Sequence, residues 1–268
     1  EVAKRNMTPV VLFAEGGGGR PGDTDAPGVA GLDVMSFASF AQLSGLVPLV
    51  GIASGYCFAG NAALLGCCDV VIATENSNIG MAGPAMIEGG GLGVVKPTDI
   101  GSITTQTANG VVDVRVADEA EAVEAAQKYL SYFQGVTTVF NRHGDDALRE
   151  LVPEQRTRVY DVRAVINTLA DIDSVLELRP EFGVGIITAF VRIEGRPVGI
   201  VANNPAHLGG AIDTPSADKM ARFVQLCDAF DIPLISLCDT PGFMVGPQAE
   251  ESAQVRHFSR LFVTAANV

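Results

Sequence analysis

The residues in this chain best placed for chemistry are glycines. In "ASGYCFAGNAALLGCCDVVIA", residues 53–73, an extended segment turns into a short helical run at Ala59-Gly60, and the stretch carries no Lys, Arg, Glu or His. A helix start leaves backbone N–H groups without intrahelical partners. Such groups can receive an anion or a developing negative charge. The loop Gly16-Gly17-Gly18-Gly19, after the apolar run of "TPVVLFAE", offers a second set. Two N–H groups converging on one oxygen make an oxyanion hole. The same glycines can equally serve only as tight turns and close-packing points, and both readings stand at this level. Neither loop has the GxxxxGK[ST] spacing of a phosphate cradle, and no GxGxxG opens a βαβ unit.

The elements that must position these turns follow from periodicity. Apolar runs predict buried strands at 10–14, 46–52 and 70–73, with helices at about 35–44 and 61–67. "NGVVDVRV" reads as a turn and a strand. "DEAEAVEAAQKYLSYF" reads as an amphipathic helix that Asp118 can cap with Glu121, burying Ala122, Val123, Ala126, Tyr129, Leu130 and Phe133 on one face. Residues 135–158 are polar and irregular, as in a linker. A helix at about 162–171, a hairpin of 185–193 and 197–202, a helix opened by "TPSADK" with Pro215 in its first turn, and a buried strand in "IPLISLCDT" complete the pattern. Strands alternating with helices imply an α/β fold with crossovers.

Composition narrows the class. The chain has 268 residues, 47% of them hydrophobic, with 30 Gly and a net charge of −13. That size suits one large domain or two of ordinary size. The charge argues against nucleic acid and anionic membranes as partners. No apolar run approaches the roughly 18–20 residues that span a bilayer. Cys57, Cys67, Cys68, Cys227 and Cys238 show no CxxC spacing, and His143, His207 and His257 are scattered. A reduced, cytoplasmic chain without a metal site is expected. "EVAKRNM" reads as the end of a helix already under way and "FSRLFVTAANV" as a helix or its end, as in a piece of a longer chain truncated at both ends.

An internal repeat sharpens the architecture. "MTPVVLFAEGGGG" resembles "DIPLISLCDTPGF", with Pro9 matching Pro233, Glu15 matching Asp239 and Gly18 matching Gly242 at one constant offset. On that offset, the second copy of "CFAGN" falls beyond residue 268.

"GYCFAGNAALLGCCDVVIATENSNIGMAG" resembles the signature of the crotonase superfamily, whose members stabilise enolates of acyl-CoA thioesters. "NGVVDVRVADEAEAVEAA" is similar to the strand and helix that follow it there. "VGIVANNPAHLGGAIDTPSADKMARFVQLCDAFDIPLISLCDTPGFMVG" is similar to the second domain of the carboxyltransferase family of biotin-dependent acyl-CoA carboxylases, and "GGGGRPG" stands where that family has a glycine-Arg loop. The resemblance covers most of the chain and is weakest over 136–149. It implies an α/β fold of crotonase-like ββα spirals in two related domains, 1–152 on the acyl-CoA side and 153–268 as the incomplete start of a biotin-side domain. It implies a carboxyl group moved from carboxybiotin to the α carbon of an acyl-CoA, with the biotin itself as base. Biotin would be carried on a partner domain or subunit, with acyl-CoA as substrate. Biotin carboxyl carrier and biotin carboxylase components would be partners. The family active site lies between subunits, so a homo-oligomer is expected, a dimer or trimer of dimers. The two positions that carry glutamates in crotonase-type hydratases hold Ala63 and Gly83, which removes the obvious players for hydration. A biotin-dependent acyl-CoA decarboxylase subunit and a non-catalytic assembly subunit are the alternatives.

The resemblance assigns the thioester oxygen to the N–H groups of Gly60, with Ala59, and of Gly17 or Gly18. Arg20, Tyr56, Cys57, Met81, Gly83 and Pro84 are candidates on the substrate side, and His207, Gly209 and Gly242 on the biotin side. Plainer roles stand beside these. Arg20 can pair with Asp23 or Asp25, Met81 and Gly83-Pro84 can simply form a turn, and His207 can make a local hydrogen bond. Lys219 reads as solvated or paired, and Glu15 and Asp239 fix their loops as readily as they join a site.

Overall fold

The computed structural model describes residues 1–17, 35–155 and 158–268, in two compact units, Glu1–Gln127 and Lys128–Val268. The packing boundary falls earlier than the 152/153 division expected from the sequence. The reason is aromatic: Tyr129, Tyr132 and Phe133 gather around Phe190, which ties residues just after 127 to the second unit.

The first unit opens with α1 (Val2–Asn6), β1 (Val10–Phe13), α2 (Met35–Ala41), β2 (Leu49–Ala53), β3 (Tyr56–Phe58), α3 (Gly60–Gly66), β4 (Val70–Thr74) and β5 (Asn78–Gly80). It continues with α4 (Pro84–Gly89), α5 (Ile103–Ala108), β6 (Val114–Val116) and α6 (Glu119–Ser131), whose C-terminal end enters the second unit. One sheet has the order β1-β2-β4-β6 and is parallel throughout, and a smaller parallel pair joins β3 to β5. All residues of β2 and β4 are buried, as the continuous apolar runs of a covered parallel sheet require. Two buried carboxylates anchor strand ends. Asp69 accepts from the Leu49 N–H at 2.9 Å, and Asp113 accepts from the Val71 N–H at 2.8 Å.

α6 begins as its sequence predicts. Asp118 Oδ1 accepts from the N–H groups of Ala120 and Glu121, and Glu121 reaches back to the Ala117 N–H. Ala122, Ala126 and Tyr129 are buried, but Val123 is exposed, so the apolar stripe is narrower than expected.

The second unit holds α7 (Val162–Leu169), β7 (Leu176–Leu178), β8 (Ile186–Ile193), β9 (Arg196–Asn203), α8 (Thr214–Ala229), β10 (Leu234–Leu237), α9 (Pro247–Glu250) and α10 (Gln254–Ala265). Its sheet order is β10-β9-β8-β7, antiparallel except where β10 lies parallel to β9. Glu194 and Gly195 both have positive φ, as a tight hairpin turn demands. The buried Asp171 carboxylate accepts from both of their N–H groups, at 2.9 and 2.7 Å. β10 was expected to be buried; it is an edge strand and only half covered. Lys219 was read as solvated or paired. It is buried in α8 and its Nζ donates to the Arg179 carbonyl at 2.8 Å.

The repeat is visible in the backbone. The offset that relates Pro9 to Pro233 also carries both ends of β1 onto both ends of β10 and the last residue of α2 onto the last residue of α10. It carries Met7, at φ 51°, onto Asp231, at φ 54°. A positive φ is uncommon for residues other than glycine, so its recurrence at matched positions is a specific agreement. The fold is mixed α/β and crotonase-like.

Candidate active site

The first unit brings the two glycine turns together. Gly16 extends the line of β1 and bridges in parallel to Cys57 of β3. Its N–H donates to the Tyr56 carbonyl at 2.8 Å, and its carbonyl accepts from the Phe58 N–H at 2.9 Å. Gly17 therefore runs beside the end of β3, where the chain turns into α3.

That turn is strained. Ala59 sits at φ 56°, ψ −124°, the geometry of the first central residue of a type II′ turn, which normally needs glycine. Its N–H is committed to the Gly80 carbonyl at 3.0 Å. Ala59 was expected to share the oxyanion with Gly60; with its donor spent, it shapes the turn instead. Gly60 then opens α3. Its N–H has no hydrogen-bond partner among the described residues, and neither has that of Gly17. Gly60 is half-buried, where an N–H without a partner is uncommon in a folded chain, whereas Gly17 is exposed.

Space is tight at Gly60 and at Gly83, and open at Gly17. A Cβ at Gly60 would lie 3.1 Å from Cζ of Phe37 on α2. A Cβ at Gly83 would lie 2.6 Å from the Gly17 carbonyl oxygen, so only glycine lets the start of α4 approach the loop. Phe37 as a wall of the turn was not foreseen. The helix carrying it was predicted, but nothing local says which residue it presents to position 60.

The other substrate-side candidates fall in different places. Cys57 is fully buried, and burial, with Glu15 adding to it, pushes its thiol up to about 11. Its side chain packs into the core of the first unit. Tyr56, on the opposite side of the strand, is exposed and stacks on Phe58 with centroids 5.7 Å apart. Met81 is 74% exposed, and Pro84 forms the first turn of α4 behind its cap Gly83. Gly18 and Arg20 lie outside the described residues. Ala63, half-buried on α3, and Gly83 put no carboxylate at either of the two positions where hydratases carry them.

In the second unit, His207 takes its plainer role, with Nε2 and Asp213 Oδ2 3.2 Å apart. Gly209, at φ 61°, lies in the short turn Leu208–Gly210. Gly242 donates its N–H to Thr240 Oγ1 at 3.0 Å and gives its carbonyl to the Ile212 N–H at 3.0 Å. His207 and Gly242 both make hydrogen bonds within their own loops. Asp239 accepts from the Tyr160 hydroxyl at 2.9 Å, and its N–H donates to Asn203 Oδ1 at 3.2 Å, a loop-fixing arrangement. A cleft of about 530 Å³ opens beside them, lined by Leu208, Asp213, Pro215, Met244, Val245 and Gln254.

Comparison with known proteins gives the family of the chain. The family model described as the carboxyl transferase domain matches residues 1–267. The methylmalonyl-CoA carboxyltransferase 12S subunit of Propionibacterium freudenreichii subsp. shermanii is 33% identical over 97% of this chain and 51% of its own length. The propionyl-CoA carboxylase beta chain of Roseobacter denitrificans is 31% identical over 97% of this chain and 53% of its own. A solved single-chain, multi-domain long-chain acyl-CoA carboxylase superposes with TM-score 0.95 at 59% identity, covering 99% of this chain and 26% of that one. The transcarboxylase 12S structure, a hexamer with methylmalonyl-CoA bound, superposes with TM-score 0.84 at 31% identity, over 98% of this chain and 53% of that one. The chain spans about half the length of the curated relatives it matches. With the family model matched over nearly its whole length, the chain belongs to the carboxyl transferase domain family.

Proposed function

We propose that the chain is part of an acyl-CoA carboxyltransferase, in which residues 1–152 hold the acyl-CoA and 153–268 begin the biotin side. The observation that carries the reading is the pair of partnerless N–H groups, Gly60 and Gly17, beside the strained Ala59 turn. Removing a proton from the α carbon of a thioester moves negative charge onto its carbonyl oxygen. Two preorganised N–H donors stabilise that charge in the transition state without reorganising at the moment of reaction. Each such donor is worth about 2.7–4 kcal/mol. Carboxybiotin, presented by a partner domain or subunit, would be the carboxyl donor.

The substrate class favoured is a long-chain acyl-CoA. The 59%-identical relative is a long-chain acyl-CoA carboxylase, whereas the methylmalonyl- and propionyl-CoA relatives stand at 31–33%. A biotin carboxylase and a biotin carrier are the expected partners, in a cytoplasmic setting, and an oligomer is expected by likeness to the hexameric transcarboxylase 12S.

The test is carboxylation by the full-length protein with its carboxylated biotin carrier and acetyl-, propionyl- or palmitoyl-CoA, in wild type and Gly60→Val. The valine methyls would crowd Phe37 and displace the N–H. Turnover is expected to be highest on palmitoyl-CoA and to fall about 10²–10³-fold in a folded Gly60→Val protein. Near wild-type turnover in that variant would sink the oxyanion assignment.

A further inference from the structure

Asn61 is the second residue of α3, yet its side chain does not cap the helix. Its Nδ2 donates instead to the carbonyl of Glu15 at 2.8 Å, across 46 residues of chain. The two partners are fitted closely. Gly16 has φ +140°, and a Cβ there would run into Asn61 Nδ2. The loop's remaining backbone ties, Gly16 N–H to the Tyr56 carbonyl and Phe58 N–H to the Gly16 carbonyl, run to β3. They fix the loop along the strand. Among the described residues, the Asn61 amide supplies the hydrogen bond between the loop and α3 itself.

We infer that Asn61 is a positioning residue: its amide holds the Glu15–Gly17 backbone against the first turn of α3 and so sets the relation between the Gly17 and Gly60 N–H groups. This rests on the proposed role of those N–H groups at the thioester oxygen. An oxyanion hole depends on both donors meeting one oxygen, and a displacement of about 1 Å at a reacting centre can cost about 10²-fold in rate. The Asn61 amide does not touch substrate. It keeps the two turns, distant in sequence, at one separation while substrate enters and leaves. α3 starts without a side-chain cap because its N-cap residue, Ala59, has no side-chain acceptor, which leaves its first N–H groups available.

Asn61→Leu tests this in the full-length protein. Leucine keeps the approximate shape, removes the donor and has the higher helix propensity. The expected result is a fall in kcat for acyl-CoA carboxylation of about 10–100-fold. KM for acyl-CoA should stay within about threefold, because ground-state binding is not the quantity changed. The thermal midpoint should not drop. Asn61→Gln, which returns an amide donor, should recover part of the lost kcat. Wild-type kcat in Asn61→Leu overturns the inference, and so does a loss that follows KM or the thermal midpoint. Gly60→Val separates this from failure of the underlying reading. If Gly60→Val turns over normally, the oxyanion assignment itself falls. If Gly60→Val is inactive while Asn61→Leu matches wild type, only the positioning role falls.

Discussion

Ala59→Gly should stabilise this protein, against the usual effect of introducing glycine. Ala59 sits at φ 56°, ψ −124°, a region that carries a cost of about 1–3 kcal/mol for a residue with a Cβ. Glycine adopts it freely. Against that relief stands the looser unfolded chain, about 0.4–1 kcal/mol. The lost methyl is half-buried, which removes less than the roughly 0.8 kcal/mol of a fully buried carbon. Taking about 2 kcal/mol for the strain, the balance is a gain of about 1 kcal/mol, or about 2–4 °C in midpoint for a chain of this size. Differential scanning calorimetry measures it, with Ala59→Val as the control of opposite sign because a β-branched residue fits a positive φ worst. The Ala59 N–H bond to the Gly80 carbonyl survives in both variants, so the backbone geometry is the quantity changed. A midpoint that falls by 2 °C or more in Ala59→Gly, on the scale just given, would refute the claim that this turn stores strain.

Other perturbations follow from the same contacts. Phe190→Ala should cost about 3–5 kcal/mol by chemical denaturation, because a fully buried ring packed by Tyr129, Tyr132, Phe133 and Phe223 leaves a cavity. A loss under about 1 kcal/mol would mean the second core collapses around the gap. Iodoacetamide at about pH 8 should alkylate exposed Cys238 first and spare Cys57 and Cys68, whose thiols burial pushes up to about 11 and about 12, so that they stay protonated there. Mass spectrometry of the native protein reads this, and early Cys57 labelling would contradict its burial. Crotonyl-CoA should not be hydrated, since Ala63 and Gly83 supply no carboxylate to move water's proton. Absorbance loss of the enoyl thioester would argue against the carboxyltransferase reading.

Much of this was legible in the sequence, and the gaps have physical causes. Apolar runs marked β2 and β4 because strands of a covered parallel sheet are apolar on both faces, whereas β1, also expected to be buried, is an edge strand with Val11 and Phe13 exposed. β3 and β5 were missed because three residues are too few to show a period. Recognising β3 would not have sufficed, because its burial does not alternate: Tyr56 is exposed while Cys57 and Phe58 are both buried. Lys219, expected to be solvated or paired, is paired and not solvated. Its spacing to Ser216 and Phe223 places it on the buried face of α8, and a lysine there needs an acceptor such as the Arg179 carbonyl. The glycine turns could be read as donors from their place between strand and helix. Which N–H groups remain unpaired could not, because the bond that decides it, from the Ala59 N–H to the Gly80 carbonyl, joins residues far apart in the chain.

The most direct test of the central claim is a crystal structure of the full-length protein with an acyl-CoA bound. The account predicts the thioester oxygen at about 2.7–3.1 Å from the Gly60 nitrogen, with the Gly17 nitrogen as second donor. A thioester bound with its oxygen away from both N–H groups, and carboxylated from that pose, would contradict it.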